Sequence, residues 1–243
     1  MSPLTFGSLF AGIGGFDLGF ERAGLTCSWQ VEINPFCRTV LAKHWPDVRR
    51  HDDVKTFPPT DAAEWRVDVI CGGFPCQDIS VAGRGAGIAE GTRSGLWSEY
   101  ARIIRVVRPR FVVVENVPAL LARGLGRVLG DLSESGYDAE WDCLPAAAFG
   151  APHIRDRVFV VADADGERRE EQHAPALATG AGFDHRFFAE RPGHADHWRV
   201  EPDVGRVAHG VPQRVDRLRG LGNAFVPQVA EWIGRSILRK VLS

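Results

Sequence analysis

Two residues stand where chemistry could be done. Cys76 lies in G-G-F-P-C-Q-D-I-S at 72–80, directly after an apolar stretch at 67–72. Glu115 closes F-V-V-V-E at 111–115. If both stretches are parallel strands, both side chains emerge at carboxyl ends, the edge where open α/β sheets hold ligands. A thiolate is a strong nucleophile, and a nearby carboxyl group can hold a proton at a reacting group. A free cysteine is most often a small buried hydrophobe, and that reading suits Cys71, inside the apolar stretch. Cys76 lies beyond it, in a polar loop shaped by Gly72, Gly73 and Pro75. A glutamate on a neighbouring strand end favours the nucleophile.

A second cluster surrounds F-A-G-I-G-G at 10–15, between a strand-like and a helix-like segment. Glycines there allow a tight turn and close approach of the backbone to a ligand. Glu32 follows at roughly the 20-residue distance at which such folds place an acid on ribose hydroxyls. On these grounds a nucleotide-like cofactor is expected, with NAD and S-adenosylmethionine equally compatible.

The elements that must position these groups alternate along the chain. Strand-like runs occupy 5–10, 26–33, 67–72, 111–115, 141–144 and 158–162. Helical periodicity occupies 14–23, 35–45, 96–107 and 119–135, the last weakened by Gly124, Gly126 and Gly130. A closing amphipathic helix is expected at 227–241. This rhythm implies an α/β fold with a parallel sheet and helices on both faces. From 163 to about 199 the chain turns rich in His, Glu, Arg, Gly and Ala and loses its periodicity, as in an inserted segment with little core of its own.

The bulk composition narrows the class. The chain has 243 residues, 44% hydrophobic and 25% charged, with a formal net charge of -2. That suffices for one packed core, and the balance of charge neither favours nor opposes a nucleic-acid partner. No apolar run is long enough to span a bilayer, and the N-terminus lacks a basic segment and a long apolar one, so neither a membrane setting nor a secretory signal is expected. Five cysteines without a C-x-x-C pair speak against a disulfide framework and a cysteine zinc site, and a cytoplasmic setting is expected. His173, His185, His194 and His197 are too irregularly spaced for a metal site, and none is expected.

Taken in order, these motifs resemble the cytosine-5 DNA methyltransferase family, in its compact bacterial and phage form, over almost the whole chain. F-A-G-I-G-G is similar to the family's cofactor motif, V-E-I at 31–33 to its ribose motif, and Asp53 to the acid that contacts the adenine amino group. P-C-Q at 75–77 and E-N-V at 115–117 are similar to the two catalytic motifs. R-S-G-L-W at 93–97 is similar to the segment packed on the cofactor, H-I-R-D-R at 153–157 to the basic motif beside the target base, and L-G-N-A-F-V-P at 221–227 to the motif that returns to the cofactor site. The family usually has glutamine where this chain has His153, whereas Arg155 and Arg157 match.

The resemblance implies a Rossmann-like, parallel or mixed sheet of the S-adenosylmethionine-dependent methyltransferase type with a small recognition insertion. It implies a catalytic and cofactor domain at 1–162, a short target-recognition region at 163–212 and a returning segment at 213–243. It implies Cys76, Glu115, Arg155 and Arg157 as catalytic residues. Phe10, Gly12, Gly14, Gly15, Glu32, Ile33, Asp53, Val54, Pro75, Leu96 and Asn223 would hold S-adenosylmethionine, and Gln77, Ser80, Asn116 and Arg155 the substrate. The implied reaction is attack of the Cys76 thiolate on carbon 6 of a flipped cytosine, with Glu115 holding a proton at ring nitrogen 3 while carbon 5 takes the methyl group.

The implied partners are double-stranded DNA and a cognate restriction endonuclease or phage setting, with the chain a monomer. The 77–91 loop is expected to close over the base, and Arg199, Arg206, Arg214, Arg217 and Arg219 form either a phosphate-binding or a mixed solvated face. Without the resemblance, arginines alternating at a strand's start read as a solvated edge. The competing readings are a relative that methylates tRNA cytosine, a non-catalytic DNA-binding relative, and an NAD-dependent oxidoreductase.

Overall fold

The computed structural model describes residues 2–75, 96–164 and 214–242, and within 214–219 the side chains of Val215 and Asp216 only. The chain begins β1 (Thr5–Leu9), α1 (Gly15–Ala23), β2 (Thr26–Val31), α2 (Pro35–His44), β3 (Arg49–His51) and β4 (Val69–Gly73). It continues α3 (Leu96–Val107), β5 (Phe111–Asn116), α4 (Leu120–Arg123), α5 (Leu125–Glu134), β6 (Asp138–Pro145) and β7 (Asp156–Asp163), and closes with α6 (Arg214–Asn223) and α7 (Pro227–Leu242). One seven-stranded sheet has the order β3-β2-β1-β4-β5-β7-β6.

The first five strands are parallel, as the alternating pattern predicts. β7 runs antiparallel between β5 and β6, so the sheet is mixed rather than wholly parallel. The apolar run V-F-V-V-A at 158–162 suits a central strand of either direction, which is why its pattern does not reveal the reversal. The expected helix at 119–135 is two helices. Gly124, at φ -178° and ψ -10°, leaves the helical region and interrupts the ladder.

Each face of the sheet has its own core. Trp29, Phe57, Trp97, Tyr100 and Ile104 pack on one face with α3 and α5, and Phe6, Phe16, Phe20, Phe159 and Ile233 on the other with α1 and α7. α1 and α7 meet backbone to backbone. A Cβ on Gly19 would lie 2.4 Å from the Pro227 carbonyl oxygen and 2.5 Å from Ala230 Cβ. That contact seats the 221–226 connection against the glycine turn ahead of α1, with Phe225 beside Gly15. Among the described residues no helix is long and apolar enough to cross a membrane, and no group of three or more His, Cys, Asp or Glu could hold a metal ion.

Candidate active site

The glycine turn joins two strand ends. Ala11 N–H donates to the Val31 carbonyl, and Gly12 N–H donates to Glu32 Oε2 at 2.7 Å. The other Glu32 oxygen accepts from Asn34 N–H at 2.7 Å, so two backbone donors fix the carboxylate. Glu32 N–H in turn donates to the His51 carbonyl, which brings the end of β3, and Asp53 beyond it, to the same edge. Asp53 caps the turn Val54–Thr56, its Oδ1 accepting from Lys55 N–H. Ile33 is 68% exposed beside Glu32, and Phe10, at φ 51°, stacks on Tyr100. Leu96 packs at the start of α3, Val54 is buried, and Asn223 is exposed at the end of α6. Phe10, Gly12, Gly14, Gly15, Glu32, Ile33, Asp53, Val54 and Pro75 therefore all follow, or immediately flank, the carboxyl edge of the parallel strands.

The second centre is a buried ion pair. Gly73 and Glu115 face each other across β4 and β5, and a Cβ on Gly73 would lie 2.4 Å from Glu115 Oε2. The carboxyl group thus lies over the strand end that leads into P-C-Q. Arg157 Nε bonds Glu115 Oε1 at 2.9 Å, with side chains only 17% and 11% exposed. Burial pushes the Glu115 carboxyl up to about 7, against the opposing pull of Arg157 and then Arg155. A carboxyl group balanced there can both hold and release a proton near neutrality. The reading of Arg155 and Arg157 as a solvated edge is overturned. β7 is flanked by β5 and β6, and Arg157 reaches a buried acid.

Two other sequence-predicted residues have definite partners. Asn116 is buried, its Nδ2 donating to the Phe74 carbonyl at 3.1 Å and its Oδ1 accepting from Val117 N–H. It braces the backbone at Pro75. Arg155, at φ 41°, donates from Nη2 to the Gly222 carbonyl at 2.5 Å, tying the basic motif to the returning segment. Cys76, Gln77 and Ser80 lie outside the described residues, as do the 77–91 loop, Arg93, the 165–213 stretch with its histidines, Arg199 and Arg206, and the side chains of Arg214, Arg217 and Arg219.

The sequence reading passes over a buried polar network beneath the turn. Asp17 is fully buried. Its Oδ2 accepts from Ser8 Oγ at 3.1 Å, and its Oδ1 from Gln30 Nε2 at 2.8 Å and Cys27 Sγ at 3.5 Å. It pins the first turn of α1 to β1 and β2. The available signal is an acid on the apolar face of α1, between Phe16 and Phe20.

Comparison with known proteins agrees with this geometry. A family model described as C-5 cytosine-specific DNA methylase matches residues 4–180. The Type II methyltransferase M1.HphI of Haemophilus parahaemolyticus is 36% identical over 174 residues, covering 67% of this chain and 46% of that protein. M.AquIA of Picosynechococcus is 32% identical over 191 residues, covering 70% of this chain and 77% of that protein. The chain thus spans less than half of M1.HphI and about three quarters of M.AquIA. A solved structure from E. coli, assigned as a prophage-encoded DNA modification methyltransferase, is 26% identical with a TM-score of 0.57, over 68% of this chain and 48% of that one. The dinucleotide oxidoreductase reading of the glycine turn is set aside: this chain belongs to the C-5 cytosine-specific DNA methylase family.

Proposed function

We propose that the chain transfers a methyl group to carbon 5 of a cytosine flipped out of duplex DNA, through a covalent bond between Cys76 and carbon 6. The observation that carries this reading is the Glu115–Arg157 pair, a buried acid titrating near 7 over the strand end that leads into P-C-Q.

S-adenosylmethionine is the family's methyl donor, and the residues present fit it. Each Glu32 oxygen accepts one backbone N–H and keeps a lone pair for a hydroxyl donor. Gly12 stands at φ 57°, and among the described residues a Cβ there would meet nothing nearer than 3.9 Å, so those residues leave room beside the carboxylate. The exposed Ile33 offers an apolar surface to a flat ring at the same edge. Glu32 would hold the ribose and Asp53 the adenine amino group. Phe10, Gly12, Gly14, Gly15, Ile33, Val54, Pro75, Leu96 and Asn223 would line the rest. When bound, the donor supplies an electrophilic methyl group.

The protein's own groups do the remainder. Cys76 as thiolate forms a bond to carbon 6, which breaks the ring's aromaticity and moves an electron pair to carbon 5. Glu115, held by Arg157, donates a proton to ring nitrogen 3 and so neutralises the charge that develops there. After carbon 5 has been methylated, its proton passes to solvent water, the electron pair of that C–H bond reforms the ring double bond and expels the Cys76 thiolate, and the proton on nitrogen 3 returns to Glu115. Asn116, by bracing the Phe74 carbonyl, steadies the backbone at Pro75, the residue before Cys76 in the sequence. Gln77, Ser80 and Arg155 contact the flipped nucleotide. Extrusion of the base costs about a few kcal/mol, repaid by contacts in the pocket.

Double-stranded DNA as substrate, a cytoplasmic monomer, and a cognate restriction endonuclease or phage setting complete the proposal; the Type II names of the relatives support the DNA substrate. Methylation sequencing of DNA from cells expressing the full chain tests it. Methylcytosine in a fixed sequence context is expected, and none in cells expressing Cys76→Ser. Unmethylated DNA from cells expressing folded wild-type chain contradicts the reading.

A further inference from the structure

We propose that Arg102 is a positioning residue for the adenine end of the methyl-donor site, acting through the turn that carries Asp53; this rests on the donor-site reading above. Arg102 projects from α3, the helix that begins at Leu96. Its Nη2 donates to the Val54 carbonyl at 3.0 Å and to the Phe57 carbonyl at 2.6 Å. Its Nε donates to Glu99 Oε2 at 2.7 Å, which fixes the rotation of the guanidinium plane. One side chain therefore grips both ends of the turn Val54–Thr56, whose capping residue is Asp53.

Among the described residues little else holds the outer part of the turn. β3 ends at His51, so no strand pairing continues into it. Among the described residues its other side-chain contacts, His51 Nε2 to Thr56 Oγ1 at 2.8 Å and Thr56 Oγ1 to the Asp53 carbonyl, stay within the same short segment, and the nearest tie from elsewhere is the Arg38–Asp52 ion pair at 3.7 Å, one residue before the cap. Its base is anchored separately, by Phe57 packed against Trp29 and Trp65 with ring centroids 4.7 and 4.9 Å apart. Among the described residues Arg102 is the side chain from another element that bonds the Val54 and Phe57 carbonyls, and that element starts at a second donor-site residue, Leu96. It sets the relative placement of Asp53 and the start of α3.

A plainer account makes Arg102 half of an i,i+3 surface pair with Glu99 that only supports α3. The two accounts diverge on ligand binding. The Arg102 side chain is 38% exposed and belongs to neither core, so a truncated variant is expected to fold, as its thermal melt would check. Lysine can reach one carbonyl but lacks the planar fork that serves two carbonyls and a carboxylate together.

The test is calorimetric titration of the full chain with S-adenosylhomocysteine and with its analogue bearing hydrogen in place of the adenine 6-amino group. Wild type, Arg102→Ala and Arg102→Lys are compared. Arg102→Ala is expected to weaken S-adenosylhomocysteine by about tenfold, the scale of one hydrogen bond to a charged group. It is expected to bind the desamino analogue within about twofold of wild type, because the contact that Arg102 positions is then already missing. Arg102→Lys should fall between. In turnover the donor KM rises while kcat at saturation stays within about twofold. Equal losses for both ligands, or no loss for either, overturn the inference. If wild type binds neither ligand, the donor-site reading itself falls and the inference with it.

Discussion

Glu115 is pulled in two directions. Burial raises its carboxyl to about 7, outweighing the opposite pull of Arg157 and Arg155. The proposed step uses the protonated form, so the methylation rate at saturating substrates should fall as pH rises through about 7. Arg157 favours the carboxylate, so Arg157→Ala should move that falling limb to higher pH, in addition to slowing the reaction. A limb that stays put, or moves down, would assign it to another group. Glu115→Gln should lower kcat by about 100-fold or more, the usual range for a lost general acid.

The same shift has a consequence for stability. The unfolded carboxyl titrates near 4.5 and the folded one near 7. Between them the folded chain keeps a proton that the unfolded chain has released, so this group lowers stability as pH rises through the window. The melting temperature of Glu115→Gln, relative to wild type, should therefore be higher at pH 8 than at pH 5. A pH-independent difference would show that the acid is not held near neutrality.

At the scale of elements, close backbone approach sets the site. Gly19 lets α1 meet α7, and through that contact the returning segment reaches the glycine turn. Gly19→Val should lower stability by about 1–3 kcal/mol, the usual range for overpacking, and weaken S-adenosylhomocysteine binding as well. Thermal melting and titration of one sample check both. Much of this was legible beforehand, because apolar runs and glycines carry the signal. The helix expected at 96–107 is α3, residue for residue, and the glycine turn stands where its spacing places it. Some of it was hidden. β3 is too short to carry a pattern, α6 has almost no apolar stripe, and an apolar strand such as β7 reads alike in either direction. The Glu115–Arg157 pair joins residues far apart in sequence, so only the ordered motifs hinted at it.

For the whole molecule, the sheet gathers two centres on one edge. One is the Glu32 carboxylate, fixed by backbone donors at the ends of β1 and β2, and the other is the Glu115–Arg157 pair, whose acid lies at the end of β5 beside the end of β4. The separation predicts separable losses. Glu32→Ala should weaken the donor well before it weakens duplex binding, read by titration and gel shift respectively. Equal losses would contradict the assignment of Glu32. The central claim is that the sulfur of Cys76 bonds to the extruded base. It is tested most directly by incubating the chain with S-adenosylmethionine and a duplex carrying 5-fluorocytosine at the methylated position. A denaturant-stable cross-link, mapped by mass spectrometry to Cys76 and absent from Cys76→Ser, is the predicted result. A duplex that is bound but never cross-linked, or a cross-link on another residue, would contradict it.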